Sequence, residues 1–469
     1  MKRGSSGTDS GEERGGTSSY GRVVLLRLVI VAALLALIVG ISKRDRKSTR
    51  DEAKSPDSLA ANSRTELAPA QSMRSSRFAY EPGRTPEEIV ASKVTQFGKN
   101  RREIVQRLAQ HHQKEIPAEI ERFFDAVESG NWEEIDRLWG LMAKRSAQYE
   151  GSTHDPALDP FWPAVLETYG AAEQAHLWPA KQLLDYSEAI LGSLRPGMVY
   201  VGGTDPGRFI PTLVNETSSG EQHVILTQNA FADGRYQEYL RFLYGERLQL
   251  PAQSDVDQAF AEYVADATRR LEHDEQFPNQ PKQLRSREQV QKVDGKIQVG
   301  GTDAVMDINE RILNFIMEKN PELSFAMEES FPMKTTYEGA RPLGPILELR
   351  AGDSETGQPG KTLDYWRETS AQLLQNSEAA ESQEVLRTWS KMIVGQANLL
   401  AHTQNGPEAE EAYRLALEMV PRSTDAIISL SEHFTSTGRP EAARELVTNF
   451  GRRNPDLKPD LDRILPQYK

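Results

Sequence analysis

The chain contains no cysteine. That absence excludes disulfide bonds, thiolate metal sites and a cysteine nucleophile. It leaves the compartment open, because many secreted bacterial proteins also lack disulfides. Histidine is scarce as well: eight are scattered along the chain, at 111, 112, 154, 176, 223, 273, 402 and 433. Only His111 and His112 are neighbours, and residues side by side cannot act as the i, i+4 pair of a zinc helix. No metal is expected, and no cofactor. There is no basic excess either: 56 Lys and Arg stand against 69 Asp and Glu, a formal charge of −13. Wholesale nucleic-acid binding does not fit that balance. The chain also lacks GxGxxG and GxxxxGK[ST], so dinucleotide and P-loop sites have no support.

Long apolar runs are missing except for one, "VVLLRLVIVAALLALIVGIS", residues 23–42. At about 1.5 Å per residue, a helix of this length just crosses ~30 Å of hydrocarbon. No small-residue cleavage signal follows, and the run continues into "KRDRK". The expectation is an uncleaved signal anchor and a single-pass membrane protein. Its orientation is contested. Lys43, Arg44, Arg46, Lys47, Arg50 and Lys54 follow the span, while Arg14 and Arg22 are the nearest basic residues before it. By the positive-inside rule the body lies in the cytoplasm, a reading weakened by Lys2 and Arg3 on the short tail.

At 469 residues the chain has room for two or three domains. Composition divides it into a Gly/Ser/Thr-rich disordered tail (1–22), the anchor (23–42) and a flexible linker (43–85). A helical region (86–150), an α/β domain (151–350), a linker (351–361) and a helical module (362–469) follow. "TPEEIVASKVTQF" has Pro at the first helical position and acids in the first turn, which predicts a helix start. "IPAEIERFFDAVESGNWEEIDRLWGLMAKR" predicts a helical hairpin turning at "SGN", with Trp132 and Trp139 on the core face beside Ile135 and Leu138.

Beyond 151 the pattern changes. "MVYV" (198–201), "HVILT" (223–227), "LSFAME" (323–328) and "PILELR" (345–350) are short, unalternating runs, as buried parallel strands tend to be. Helical stretches alternate with them. The predicted fold class is α/β: a Rossmann-like, largely parallel sheet, flanked by helical hairpins before it and a helical repeat module after it, on a single transmembrane helix. In the last module Ala409, Tyr413, Ala416 and Pro421 recur thirty-four residues later as Ala443, Val447, Phe450 and Pro455. Period and residue types resemble tetratricopeptide repeats. That resemblance implies a protein partner docked through 362–469.

The pentapeptide Val-Gly-Gly-Thr-Asp occurs twice, at 201–205 and 299–303. In an open parallel sheet, ligands lie beyond the carboxyl ends of the strands, where loops lead into helices. Glycines there allow positive φ and close backbone approach, and amides exposed at a helix start favour an anion. The first copy therefore predicts a pocket for a small anionic or sugar-like ligand built from Gly202, Gly203, Thr204, Asp205, Arg208, Gln228 and Asn229. Asp205 has two open roles, helix cap or general base; Asp303 reads as a plain N-cap. Glu328 and Glu329 end a strand and could share acid and base work with Asp205. His273 beside Asp274 reads as surface loop, and Ser330 lacks the elbow glycines of a hydrolase nucleophile.

Three stretches, "LRPGMVYVGGTDPGRFIPTLVNE", "HVILTQNAFADGRYQEYLRFLYG" and "EESFPMKTTYEGARPLGPILEL", resemble the soluble domain appended to multi-span, mannosyltransferase-like membrane proteins of bacteria. The likeness covers roughly 160–350, with Gly203, Asp205, Phe209, Gln228 and Asn229 at the matching positions. It implies an extracytoplasmic body. The many spans that would carry glycosyl transfer are absent from this sequence, so the transferase activity does not follow. The resulting expectation is a membrane-anchored, extracytoplasmic binding or scaffold protein of the bacterial envelope, contacting the membrane through 23–42. The alternative is an enzyme acting on a glycan or lipid-linked sugar, with Asp205 as base and Glu329 as acid.

Overall fold

The computed structural model describes residues 83–149, 151–220, 222–293, 295–350 and 359–465. The tail, the apolar run at 23–42 and nearly all of the first linker lie outside the described residues, as does most of the second linker. The helix α1 (Pro86–His112) opens with a capping box. Thr85 Oγ1 accepts the Glu88 amide at 3.3 Å, and the Thr85 amide donates back to Glu88 Oε2 at 2.8 Å. Then α2 (Ala118–Ser129) and α3 (Trp132–Ala143) form a hairpin. Gly130, at φ 69°, supplies the left-handed residue between them, and Asn131 Oδ1 caps α3. Two further helices, α4 (Trp162–Leu177) and α5 (Ala180–Leu191), lead into the sheet.

The sheet region runs β1 (Val199–Gly202), α6 (Asp205–Glu216), β2 (Val224–Thr227), α7 (Gly234–Tyr244) and α8 (Gln253–Gln276). It continues as β3 (Gln289–Val293), β4 (Lys296–Gly300), α9 (Thr302–Lys319), β5 (Phe325–Met327), a 3₁₀ turn (Lys334–Tyr337), β6 (Arg341–Leu343) and β7 (Ile346–Leu349). The C-terminal helices are α10 (Pro359–Gln375), α11 (Ser377–Glu381), α12 (Gln383–His402), α13 (Gly406–Met419), α14 (Thr424–Ser436), α15 (Pro440–Arg453) and α16 (Lys458–Ile464).

This architecture corrects the Rossmann-like, largely parallel reading. The chain is mostly helical, around a small mixed sheet of order β2-β1-β5-β7-β6. Only β1–β2 and β1–β5 pair in parallel; β5–β7 and β6–β7 are antiparallel. The reason is the length of the connections. The chain crosses from β5 to the edge strand β6 through the 3₁₀ turn, then doubles back at Gly344 and Pro345, too short a link for anything but a hairpin. β4 does not join this sheet; it pairs with β3 in a separate two-stranded ribbon.

The expectation of a single-pass membrane protein with an extracytoplasmic body is corrected as well. No helix among the described residues is long and apolar enough to cross a membrane. α1 has the length, at 27 residues, but it carries charges along one face and an apolar stripe along the other, the pattern of a helix packed on a core. The stretch 23–42, on which that reading rests, lies outside the described residues.

Pleating sends alternate strand residues to two cores. Val199, Val201, Val224, Leu226, Phe325, Met327, Leu347 and Leu349 face the cluster formed with α2, α3, α7, α8 and α9. Tyr200, Ile225, Ala326 and Ile346 face α5, α6, α10 and α12. Trp139 lies in the first core, stacked on Tyr169 (4.2 Å between centroids) and on Trp162 (4.8 Å). On the second side, α12 packs against β6 and β7. α13 and α15 start and end thirty-four residues apart, 406 and 440, 419 and 453. Their inward positions Ala409, Tyr413 and Ala416, and Ala443, Val447 and Phe450, are all buried.

Candidate functional site

The turn from β1 into α6 uses only Gly203 and Thr204. Thr204 is the N-cap: its Oγ1 accepts the Gly207 amide at 2.9 Å. Asp205 is the first residue of the helix rather than its cap, and its Oδ1 accepts Arg208 Nη2 at 2.7 Å. Negative charge at this helix end is favourable in itself.

The amides exposed at the turn are occupied by the protein's own carboxylate. Glu328, the residue after β5, is buried, and its Oε2 accepts the amides of Gly203 and Thr204, each at 2.8 Å. Its Oε1 accepts the Thr204 hydroxyl at 3.0 Å. Burial, the largest influence, raises the pKa of Glu328, and the three hydrogen bonds work against that rise by favouring the anion. Close approach explains the glycines. A Cβ at Gly207 would lie 2.1 Å from Glu328 Oε2, and one at Gly203 2.4 Å from both the Glu328 carbonyl oxygen and the Ser330 amide. None of Gly202, Gly203 and Gly207 has a positive φ.

Gln228 is fully buried and ties the end of β2 to the segment after β5. Its Oε1 accepts from the Ser330 amide (3.0 Å) and hydroxyl (2.7 Å), and its Nε2 donates to the Phe331 carbonyl at 3.1 Å. Asn229 stands beside Arg208, whose Nη1 reaches its Oδ1 at 3.4 Å. Thus Gly202, Gly203, Thr204, Asp205, Arg208, Gln228 and Asn229 do gather at one corner, joined by Glu328 and Ser330.

Glu329 turns the other way. Its Oε2 accepts the Tyr337 hydroxyl at 2.5 Å, and its Oε1 accepts Asn398 Nδ2 of α12 at 3.0 Å. Asn398 Oδ1 in turn accepts the Tyr413 hydroxyl of α13 at 2.8 Å. Burial pushes Glu329 up to about 7, partly offset by the Tyr337 and Asn398 hydrogen bonds. Adjacent carboxylates therefore serve different partners: Glu328 the turn, Glu329 the C-terminal helices.

The second pentapeptide has another geometry. Gly300 ends β4, and Gly301, at φ 87°, starts α9 with no side-chain cap. Asp303 is the second helical residue, buried, with Oδ1 3.3 Å from Arg287 Nε. Among the described residues the Asp303 amide of this turn donates to the Arg287 carbonyl, at 3.3 Å, where the first copy meets a carboxylate. His273 and Asp274 end α8, where Asp274 accepts the amides of Gln283 (2.7 Å) and Leu284 (3.1 Å) and so orders the following loop. Among the described residues no group of three or more potential metal ligands converges.

Beside the first turn lies a small, open-mouthed cleft of about 30 Å³. Arg208, Phe209, Thr227, Asp233, Tyr236 and Trp162 contribute to its walls. Trp162, Asp233, Tyr236 and the internal role of Glu328 escaped the sequence reading. The signal for Glu328 was its position: an acid at the end of a strand neighbouring a glycine-rich turn, with Gly207 at the third helical position. What the corner offers chemically is a guanidinium beside apolar walls, with both strand-end acids already bonded. No protein-family model matches the chain, and neither the curated proteins nor the solved structures contain a match to it.

Proposed function

We propose that the chain acts by holding other molecules rather than by transforming them: it is a binding scaffold whose C-terminal helices dock a protein partner. The observation that supports this is the internal use of the strand-end acids. Glu328 is bonded to the turn amides and Glu329 to Tyr337 and Asn398, so neither is open to a substrate proton. The same bonds join sheet and helices into one platform, together with Gln396 Nε2 of α12, which donates to the Ile346 carbonyl at 2.7 Å. On α15 and at its end, Arg444 and Arg452 are exposed, held only by contacts within the helix: Arg444 Nε lies 4.0 Å from Glu441 Oε2, and Arg452 Nη2 donates to Asn449 Oδ1 at 3.1 Å.

Cross-linking of the full chain in cell extract, read by mass spectrometry, tests the proposal. The expected result is one reproducible partner linked within 377–465 and lost when Arg444 and Arg452 are both changed to Glu. Links spread evenly over the surface, or none that repeat, overturn it. The glycan-directed enzyme reading through Asp205 would replace it if the wild-type chain showed turnover that Asp205→Asn abolished without unfolding.

A further inference from the structure

We infer that Glu329 is a latch worked by a proton: protonated, it holds the 3₁₀ turn against α12, and ionised, it lets the turn open. None of this depends on the partner surface above. The seam between sheet and C-terminal helices is built around this side chain. Glu329 is buried, and a Cβ at Gly395 of α12 would stand 3.3 Å from its own Cβ, so the helix comes this close because it carries a glycine there. Glu329 Oε2 accepts the Tyr337 hydroxyl of the turn at 2.5 Å and the Met333 amide at 3.4 Å. Its Oε1 accepts Asn398 Nδ2 of α12 at 3.0 Å. One carboxyl group thus joins the turn to the helices.

Its partners are neutral, which sets it apart from other enclosed acids. Glu288 is paired with Arg270 at 2.6 Å and Glu348 with Arg341 at 2.7 Å. Glu328 has the amides of a helix start, and Lys391 of α12 also favours its charge. The titratable groups facing Glu329 are Glu310 on α9, Tyr337 on the turn and Tyr413 on α13. Beside Tyr337 lies the exposed His402 ring of α12, at 5.3 Å, and Glu432 of α14 acts on Tyr413. Glu310 has the like charge and grips the same turn, accepting the Thr335 amide at 2.6 Å and its hydroxyl at 2.7 Å. An anion at 329 is therefore enclosed near another acid, with no ion-pair partner among the described residues. Opening of the turn returns it to water. Burial raises Glu329 from 4.5 to about 7, so the closed turn holds the proton more tightly than the opened one. The closed form has its full advantage below pH 4.5, loses it as pH rises to 7 and changes little above that.

Lys334, exposed on the turn, reports the opening. A protease that cuts after lysine needs the chain around the bond unfolded, so it cuts there when the turn is open. Lys99, exposed in the middle of α1, is cut only when that helix unfolds. The full chain is digested with a lysine-specific protease between pH 6 and 8 and the peptides are followed by mass spectrometry. Rates are scaled to an unstructured lysine peptide in the same tube. Cleavage after Lys334 is expected to run ahead of Lys99 and to rise about ten-fold from pH 6 to 8, the change a one-proton latch gives as it levels off. Glu329→Gln, which cannot ionise, should lose most of the rise. His402→Gln removes the nearest ring without touching a bond of Glu329, and it should keep the rise. Cleavage that does not change with pH, a rise that persists in Glu329→Gln, or one that disappears in His402→Gln overturns the proposal. So do cuts at Lys334 and Lys99 in step, which would mean unfolding of the whole body.

Discussion

Val-Gly-Gly-Thr-Asp at 201–205 and the same five residues at 299–303 show how little a shared pentapeptide dictates. In the first copy both glycines have ordinary negative φ and are small because other chain segments press on them. A Cβ at Gly202 would meet Arg208 Cα at 2.6 Å, and the strand-end Glu328 fills the amide recess. In the second, a Cβ at Gly300 would make only an ordinary contact, 3.7 Å from Gln289 Oε1, while Gly301 adopts φ 87°. Thr204 caps its helix and Thr302 does not. The difference lies in the neighbours. The first copy leaves a central strand and meets the acid that follows β5; the second leaves a ribbon lying off the sheet, and it meets Arg287 instead.

The contrast can be broken most sharply at the first glycine. Gly202→Ala forces a Cβ into backbone and should cost about 3 kcal/mol or more, whereas Gly300→Ala should stay within about 1 kcal/mol. Chemical denaturation of the two variants decides it, and equal losses would mean that the neighbours do not matter. A large effect also belongs to Glu329. Its pKa in the folded state, about 7, lies above the ordinary glutamate value of 4.5. The folded state therefore holds its proton more tightly, and the stabilisation present below pH 4.5 is lost as pH rises through 7. The unfolding free energy obtained from denaturation between pH 5 and 8 should fall by up to about 3 kcal/mol in the wild type. Most of that slope should vanish in Glu329→Gln.

Thr204→Ala removes a cap and a bond to Glu328, with an expected loss of about 1–2 kcal/mol; Thr302→Ala should change stability by less than about 0.5 kcal/mol. Thermal melts of the pair sharpen the comparison at the capping position. A small effect is expected at the last residue of the first copy. Asp205→Asn weakens a partly exposed pair with Arg208 and should cost under about 1 kcal/mol. Asp303→Asn, at a buried position, should cost more than Asp205→Asn in the same assay.

Much of the local structure could be read in advance, and for identifiable reasons. The run at 198–201 covers all of β1 but Gly202, and those at 223–227, 323–328 and 345–350 contain β2, β5 and β7, since β-branched and apolar residues without alternation suit strands buried on both faces. "SGN" turns the chain between α2 and α3 because Gly130 takes the left-handed conformation. The direction of each strand was not legible. A buried run of four residues carries no mark of parallel or antiparallel pairing, and the polar edge strand β6 was not read as a strand at all. At the site, the gathering of Gly203, Thr204, Gln228 and Asn229 follows from their places after β1 and β2. The occupant of the amide recess did not follow, because Glu328 lies 124 residues from Thr204 along the chain.

By itself the sequence determined where helices start, where buried strands fall and which side chains lie inward, because these depend on residues within a turn or two of one another. Tertiary structure decided the mixed order of the sheet, the opposite directions of Glu328 and Glu329, and which of two identical pentapeptides is braced by an internal carboxylate. Those outcomes depend on what each segment meets after folding. Distant groups compete there for the same few amides, and packing determines which of them is close enough to bond.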